Sequence, residues 1–399
     1  LTLVSEALPD PHSQEGPGDR WASVGLQRES SATADRAPAL VEAHRLMTIC
    51  NSCRYCEGLC AVFPAMELRR TFADGDLNYL ANLCHGCGGC YIDCQFSPPH
   101  EFQVNVPRAM ATLRAHSYEA YAWPRMLAPT FRRNGLILSL VAALCVSAFI
   151  LGFAVWNDPS TLFGSHSGPG SFYKLMPHNA MVLIFGGAFL YACVAIAMSL
   201  RAFWRDISDP KREGSAASSI WQAIRDAASL RYLDGDGVRC MDEEGAPTDH
   251  RRWFHHLTFY GFLLCFASTC VATLYHYLLG REAPYPWWDL PVLLGIAGGI
   301  GLVVGPLGLL ASKPRRDSML INADLRGMDV AFIVVLFFIG LTGMVLLALR
   351  STPLMGVLLA LHLGFVFSFF ITAPYGKFVH GLFRFLALVK YARERHAHR

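Results

Sequence analysis

Six apolar stretches, each long enough to cross a bilayer core of about 30 Å, constrain this chain more than any other feature. They run approximately 136 to 156, 179 to 203, 254 to 279, 290 to 311, 329 to 350 and 354 to 373. Only 16% of the residues are charged and 53% are hydrophobic, where ordinary soluble domains carry about 25% charge. The expected class is therefore all-α, with a six-helix transmembrane bundle at residues 131–392 as the larger part. The net charge is only +3, and no basic run points to nucleic acid.

If all six stretches span, the connections 157–178, 280–289 and 350–354 share one side and carry only Lys174, Arg281 and Arg350. The cluster-bearing region, the connections 204–253 and 312–328, and the C-terminus share the other side, which holds nearly all remaining Lys and Arg. Positive charge stays cytoplasmic, so the expected location is the inner membrane, with the N-terminal domain and C-terminus in the cytoplasm. Residues 1–40 are rich in Ser, Gly, Pro, Asp and Glu without apolar periodicity; they read as a disordered leader and not as a signal peptide. Ile220, Trp221, Ile224, Ala227 and Ala228 recur at helical spacing. A cytoplasmic amphipathic helix is expected at about 217–233, lying on the membrane surface or against the N-terminal domain, with 393–399 as a solvated tail.

Residues 41–130 contain CxxCxxCxxxC twice: Cys50, Cys53, Cys56 and Cys60, then Cys84, Cys87, Cys90 and Cys94. Eight thiolates at that spacing suffice for two [4Fe-4S] clusters in a small helical, ferredoxin-like domain. In the two-cluster ferredoxin arrangement the fourth cysteine of each run ligates the other run's cluster. That rule would group Cys50, Cys53 and Cys56 with Cys94, and Cys84, Cys87 and Cys90 with Cys60. Ala61 and Gln95 stand where the bacterial run has proline, which leaves the pairing open. Zinc sites favour pairs of CxxC, and disulfides need an oxidising compartment, so both fit less well. Gly86, Gly88 and Gly89 suit close approach of backbone to a cluster.

Ionisable residues in spanning helices are costly and often functional. His255 and His256 open the third stretch on the cytoplasmic side and His276 closes it; His362 lies near the far-side start of the sixth, and His380 returns to the cytoplasmic side. Two histidine levels on two oppositely directed helices match a cytochrome b-like bundle holding one or two b-type haems. The competing reading is histidines satisfied at the interface or in the core. On a straight helix His362 and His380 share a face about 27 Å apart, and helical phase favours His255 over His256 as the partner level of His276. Pro374 and Gly376 invite a break between His362 and His380. His178 has no evident partner in the sequence. The GIAGGIG run at 295–301 lies inside a spanning stretch and reads as a close helix-packing surface, not as a dinucleotide loop.

The stretches CNSCRYCEGLCAVFPAMELRRTF, NLCHGCGGCYIDCQFSPPHEF, HHLTFYGFLLCFASTCVATLYHY and PYGKFVHGLFR resemble the tricarballylate utilization protein B family, also called the citrate utilization B family, from about residue 40 to 392. The resemblance implies a membrane partner of a flavin-dependent tricarballylate dehydrogenase, one that reoxidises the flavin through iron-sulfur clusters and passes electrons to quinone. It carries the cluster role onto the eight cysteines. Support for haem comes through a fused relative in cobalamin synthesis that acts as a precorrin-3B synthase. Nothing in the sequence binds flavin or nicotinamide, so a soluble flavoprotein dehydrogenase and membrane quinone are the expected partners of an electron-transfer subunit. Two alternatives remain, a redox component of a precorrin-3B synthase-type oxygenation and a redox-sensing membrane protein or transporter.

Overall fold

The computed structural model describes residues 36–208, 216–234, 240–241, 247–314 and 317–398. Most of the expected leader therefore lies outside the described residues, and its last three positions already belong to a helix. The N-terminal region is built mainly from α1 (Pro38–Cys53), α2 (Val62–Glu67), α3 (Asp74–Leu83) and α4 (Val106–Tyr121), with a single helical turn at Gly89–Ile92 between the last two. Proline at the first turn of α1 and of α4 suits a position whose N–H would be unpaired in any case. At the start of α4 the Asn105 side chain also accepts the Arg108 N–H at 3.1 Å. Residues 68–73 separate α2 from α3, and Arg69 in that break is buried.

Six helices are long and apolar enough to span a membrane: α5 (Asn134–Trp156), preceded by a 3-10 segment from Arg125, α6 (His178–Ile207), α8 (His250–Leu279), α9 (Leu290–Ser312), α10 (Arg326–Leu349) and α11 (Met355–Thr372). Between α6 and α8 lies α7 (Ala216–Ala228), followed by a 3-10 turn at Arg231–Asp234; α12 (Val379–Ala397) closes the chain. Short helical turns at Pro159–Leu162, Ser171–Leu175, Ser318–Leu320, Ala323–Leu325 and Ala373–Tyr375 lie in the connections, with a two-residue antiparallel pairing of Cys240–Met241 with Pro247–Thr248. The chain is all-α, as its composition predicts.

The bundle divides by how closely its backbones approach. Helix α8 lies against α9 along small residues: a Cβ on Gly301 would sit 2.7 Å from Leu257 O, and one on Gly298 would sit 2.7 Å from Cys265 N. The glycine run is thus a packing surface inside α9. Helix α5 packs against α10 and α11. Across the remaining gap α8 meets α6 and α11 through aromatic rings, Phe266 against Phe189 at 6.1 Å and Phe262 against Phe369 at 5.5 Å between centroids.

The domain boundary differs from the sequence expectation. Helix α12 is neither membrane span nor solvated tail. Phe383, Ala387, Leu388 and Tyr391 of α12 share one core with Leu46, Met66, Leu80 and Leu113 of the N-terminal region and with Phe203 and Ile207 of α6. Charges inside this core are paired. Glu394, wholly buried, takes Arg69 at 2.5 Å, the Tyr79 hydroxyl at 3.0 Å and Lys390 at 3.7 Å. Helix α7 uses its alanine face against this core, with Ala223 buried, while Ile220, Trp221 and Ile224 stay exposed. His396, expected in a solvated tail, instead sits 3.1 Å from the Ser219 hydroxyl of α7.

Candidate redox site

The first cysteine run straddles the end of α1. Cys50 and Cys53 lie in its last turn, and Arg54 leaves it in a left-handed conformation (φ 56°), its N–H returning to Cys50 O. That reversal returns Cys56 to the cavity that Cys50 and Cys53 line. Arg54 itself is exposed and donates to Asn51 O at 3.1 Å. The second run begins at Cys84, just past α3. Gly86 and Gly88 have φ of 60° and 96°, which side-chain-bearing residues rarely adopt, and they bend the loop so that Cys87 and Cys90 face inward.

Two adjacent cavities result. The outer is lined by Cys50, Cys53, Cys56 and Cys94, with Tyr55, Phe63 and Phe96. The inner is lined by Cys84, Cys87, Cys90 and Cys60, with His85, Phe63 and Tyr232. They enclose about 370 and 450 Å³ of empty space, part of it open to solvent. Each cavity thus takes three cysteines from one run and the fourth from the other, and Phe63 lines both. No group of three or more Cys, His, Asp or Glu among the described residues converges tightly enough for a single metal ion. Four sulfurs around a cavity fit a multi-atom cluster better than one ion.

Burial penalises the free thiolates here. It pushes the Cys50 thiol up to about 12 and the Cys56 thiol up to about 11, neighbouring cysteines adding to both, and it raises Cys60 and Cys90 as well. Such thiolates form readily only where a metal compensates their charge.

The inner loop is tied to the helices that enter and leave the bundle. Arg251, on the first turn of α8, donates to Gly86 O and His85 O, both at 3.2 Å. Arg384 of α12 donates to Cys84 O at 2.9 Å. Four residues from each arginine lies a histidine, and these two rings face one another: His255 and His380 have centroids 6.1 Å apart at 77°. His380 Nδ1 donates to Lys377 O, the second contact that metal-bound imidazoles commonly make. Burial, with Lys377 and Arg384 nearby, holds His380 well below its usual range, so the ring is neutral. His256 points elsewhere and stacks on Tyr260.

The far-side level departs from the sequence reading. His276 stacks face to face on His178, centroids 3.9 Å apart and planes 12° apart, which leaves no space for a metal between them. His362 meets the Thr342 hydroxyl at 3.0 Å. His178, without a partner in the sequence, gains one because α6 begins and α8 ends at the same level. The chain also breaks at Ala373–Tyr375, so His362 and His380 sit on different helices and the straight-helix alignment does not apply. Sequence reasoning missed Arg114, Arg251 and Arg384 as site residues, since a basic residue near a membrane boundary has a simpler explanation in topology.

These features define a class: a helical, cysteine-lined domain of Fer4 type carried on a six-span helical bundle. A family model described as Citrate utilization protein B matches residues 129–399, and one described as Citrate utilization protein B Fer4-like domain matches residues 43–120. The Citrate utilization protein B of Escherichia coli is 47% identical over 355 residues, covering 89% of this chain and 92% of that protein. The chain belongs to the citrate utilization protein B family. No solved structure matches it. Membership with a Fer4-like domain supports an iron-sulfur electron-transfer role.

Proposed function

We propose that this chain is the membrane electron-transfer partner of a soluble flavoprotein dehydrogenase, most simply one acting on tricarballylate or a similar tricarboxylate, and that it delivers electrons to quinone. One observation carries the reading: two four-cysteine cavities lie in series, and the loop of the inner one is bonded to both helices that bear the facing pair His255 and His380. Cys50, Cys53, Cys56 and Cys94 would hold one [4Fe-4S] cluster, and Cys60, Cys84, Cys87 and Cys90 the other. When bound, such clusters supply one-electron carriers, which a two-electron flavin needs in order to feed a membrane acceptor stepwise.

The chain's own residues divide the remaining work. Cys53 is exposed, and Tyr55, Ile92 and Phe102 stand 69%, 41% and 41% exposed in the same region of the domain, a surface suited to a docking protein. Phe63, 2% exposed, lines both cavities. Orientation by the positive-inside rule puts this surface in the cytoplasm. His255 and His380, the facing pair, would hold a b-type haem, which would supply a further one-electron carrier beyond the inner cavity; His276, stacked on His178, and His362, bonded to Thr342, are not brought together for a second.

Anaerobically purified protein is expected to carry about eight iron and eight labile sulfide atoms per chain, for two four-iron centres; near-zero values for both would overturn the reading. For haem, the reduced-minus-oxidised spectrum is expected to show one b-type species that disappears in His380→Ala. A b-type signal untouched by that change would refute the assigned ligand.

A further inference from the structure

Three guanidinium groups from three separate helices converge on one short loop. Arg114 of α4 donates to Ala81 O at 2.9 Å and also to Cys84 O. Arg384 of α12 donates to Cys84 O at 2.9 Å and to Asn82 O at 3.3 Å. Arg251 of α8 donates to Gly86 O and His85 O. Arg114 is 9% exposed, and among the described residues neither Arg114 nor Arg384 has a carboxylate partner. Buried cations satisfied only by carbonyls remain short of negative charge, since a carbonyl is a dipole and not an anion.

The outer loop has the opposite character. Arg54 there projects into solvent and donates to Asn51 O, and the acidic Asp93 directly precedes Cys94. Reduction adds one negative charge to a cluster, so nearby cations favour the reduced form and nearby anions oppose it. Burial of the inner cavity works against reduction there. The full charges of Arg114 and Arg384, poorly screened where they sit against the inner loop, outweigh that penalty.

We propose that Arg114, Arg251 and Arg384 form a cationic cage that raises the reduction potential of a cluster held by Cys60, Cys84, Cys87 and Cys90 above that of one held by Cys50, Cys53, Cys56 and Cys94. Electron flow would then be downhill from the exposed site to the buried one. The inference rests on the cluster assignment made above and adds to it a direction and its cause. The three arginines act as positioning and tuning groups; none of them is placed as a ligand.

The test is a redox titration of the detergent-solubilised full chain, followed by electron paramagnetic resonance, with iron and sulfide measured on each sample. Two reduction waves are expected, the higher being the one lost in Cys87→Ser. Arg384→Gln is expected to move that wave negative by a tenfold change in the one-electron equilibrium or more, ~59 mV, leaving the lower wave in place. Arg384→Lys, which keeps the charge, should restore most of the shift. Should Arg384→Gln lose iron, Arg114→Gln and Arg251→Gln carry the same expectation. Full iron content with both waves at their wild-type positions, or with the inner wave the lower of the two, would overturn the cage. Absence of iron from the wild-type protein would instead overturn the cluster assignment beneath it.

Discussion

Cys87→Ser is expected to reduce quinone-linked reoxidation of the partner flavoprotein in membranes to background, while the dehydrogenase keeps its full rate with a soluble artificial acceptor. Cys87 lines the inner cavity beside Cys84, Cys90 and Cys60. A serine hydroxyl is a poor substitute for a thiolate toward iron, and the loop of the inner site is bonded to Arg251 at the start of α8 and to Arg384 of α12. Losing it separates the exposed cavity from the membrane. Measuring both rates on the same membranes distinguishes a broken relay from a damaged dehydrogenase. Wild-type quinone-linked turnover in the mutant would mean that electrons bypass the inner site, and the serial arrangement would be wrong.

The second large effect is expected at Glu394. Its carboxylate is fully buried, and it faces Arg69, Tyr79 and Lys390 together. Glu394→Ala would take from Arg69, 1% exposed, and from Lys390, equally buried, the carboxylate that faces them both. Removing one partner of a buried ion pair typically costs roughly 3–5 kcal/mol, because the charge left behind has neither water nor counter-ion. This network joins the break after α2 to α12, and Lys390 also donates to Ile207 O at the end of α6. The thermal midpoint of the solubilised protein should therefore fall by about 5 °C or more, with cluster content falling alongside. An unchanged midpoint would show that apolar packing of Phe383, Leu388 and Tyr391 alone holds α12 in place.

Much of the architecture was legible before any coordinates. The six spans were visible because apolar runs of that length have few stable fates outside lipid, and helix bounds moved only where polar residues extend a span beyond the bilayer, as at His250 and Ile207. The cysteine grouping was legible as a rule of spacing. What spacing left open was whether the departures at Ala61 and Gln95 would disturb it, and the cavities keep Cys60 and Cys94 exchanged between the runs. Of the two histidine levels read from the sequence, the geometry brings together one and not the other. His255 and His380 meet, whereas His276 meets His178 and leaves His362 to Thr342, because pairing depends on which helices are neighbours at each level.

The sequence by itself determined class, the number of helices long and apolar enough to span, and the eight sulfur positions, all of which follow from local composition and short-range spacing. Tertiary structure alone decided that the last helix completes the core around the cysteines, that one histidine pair faces across the bundle, and that three arginines distant in the chain close on a single loop. Those outcomes rest on contacts between residues up to 325 positions apart, as for Arg69 and Glu394. No periodicity in a chain records such contacts, because they form only when separate helices compete for the same buried space.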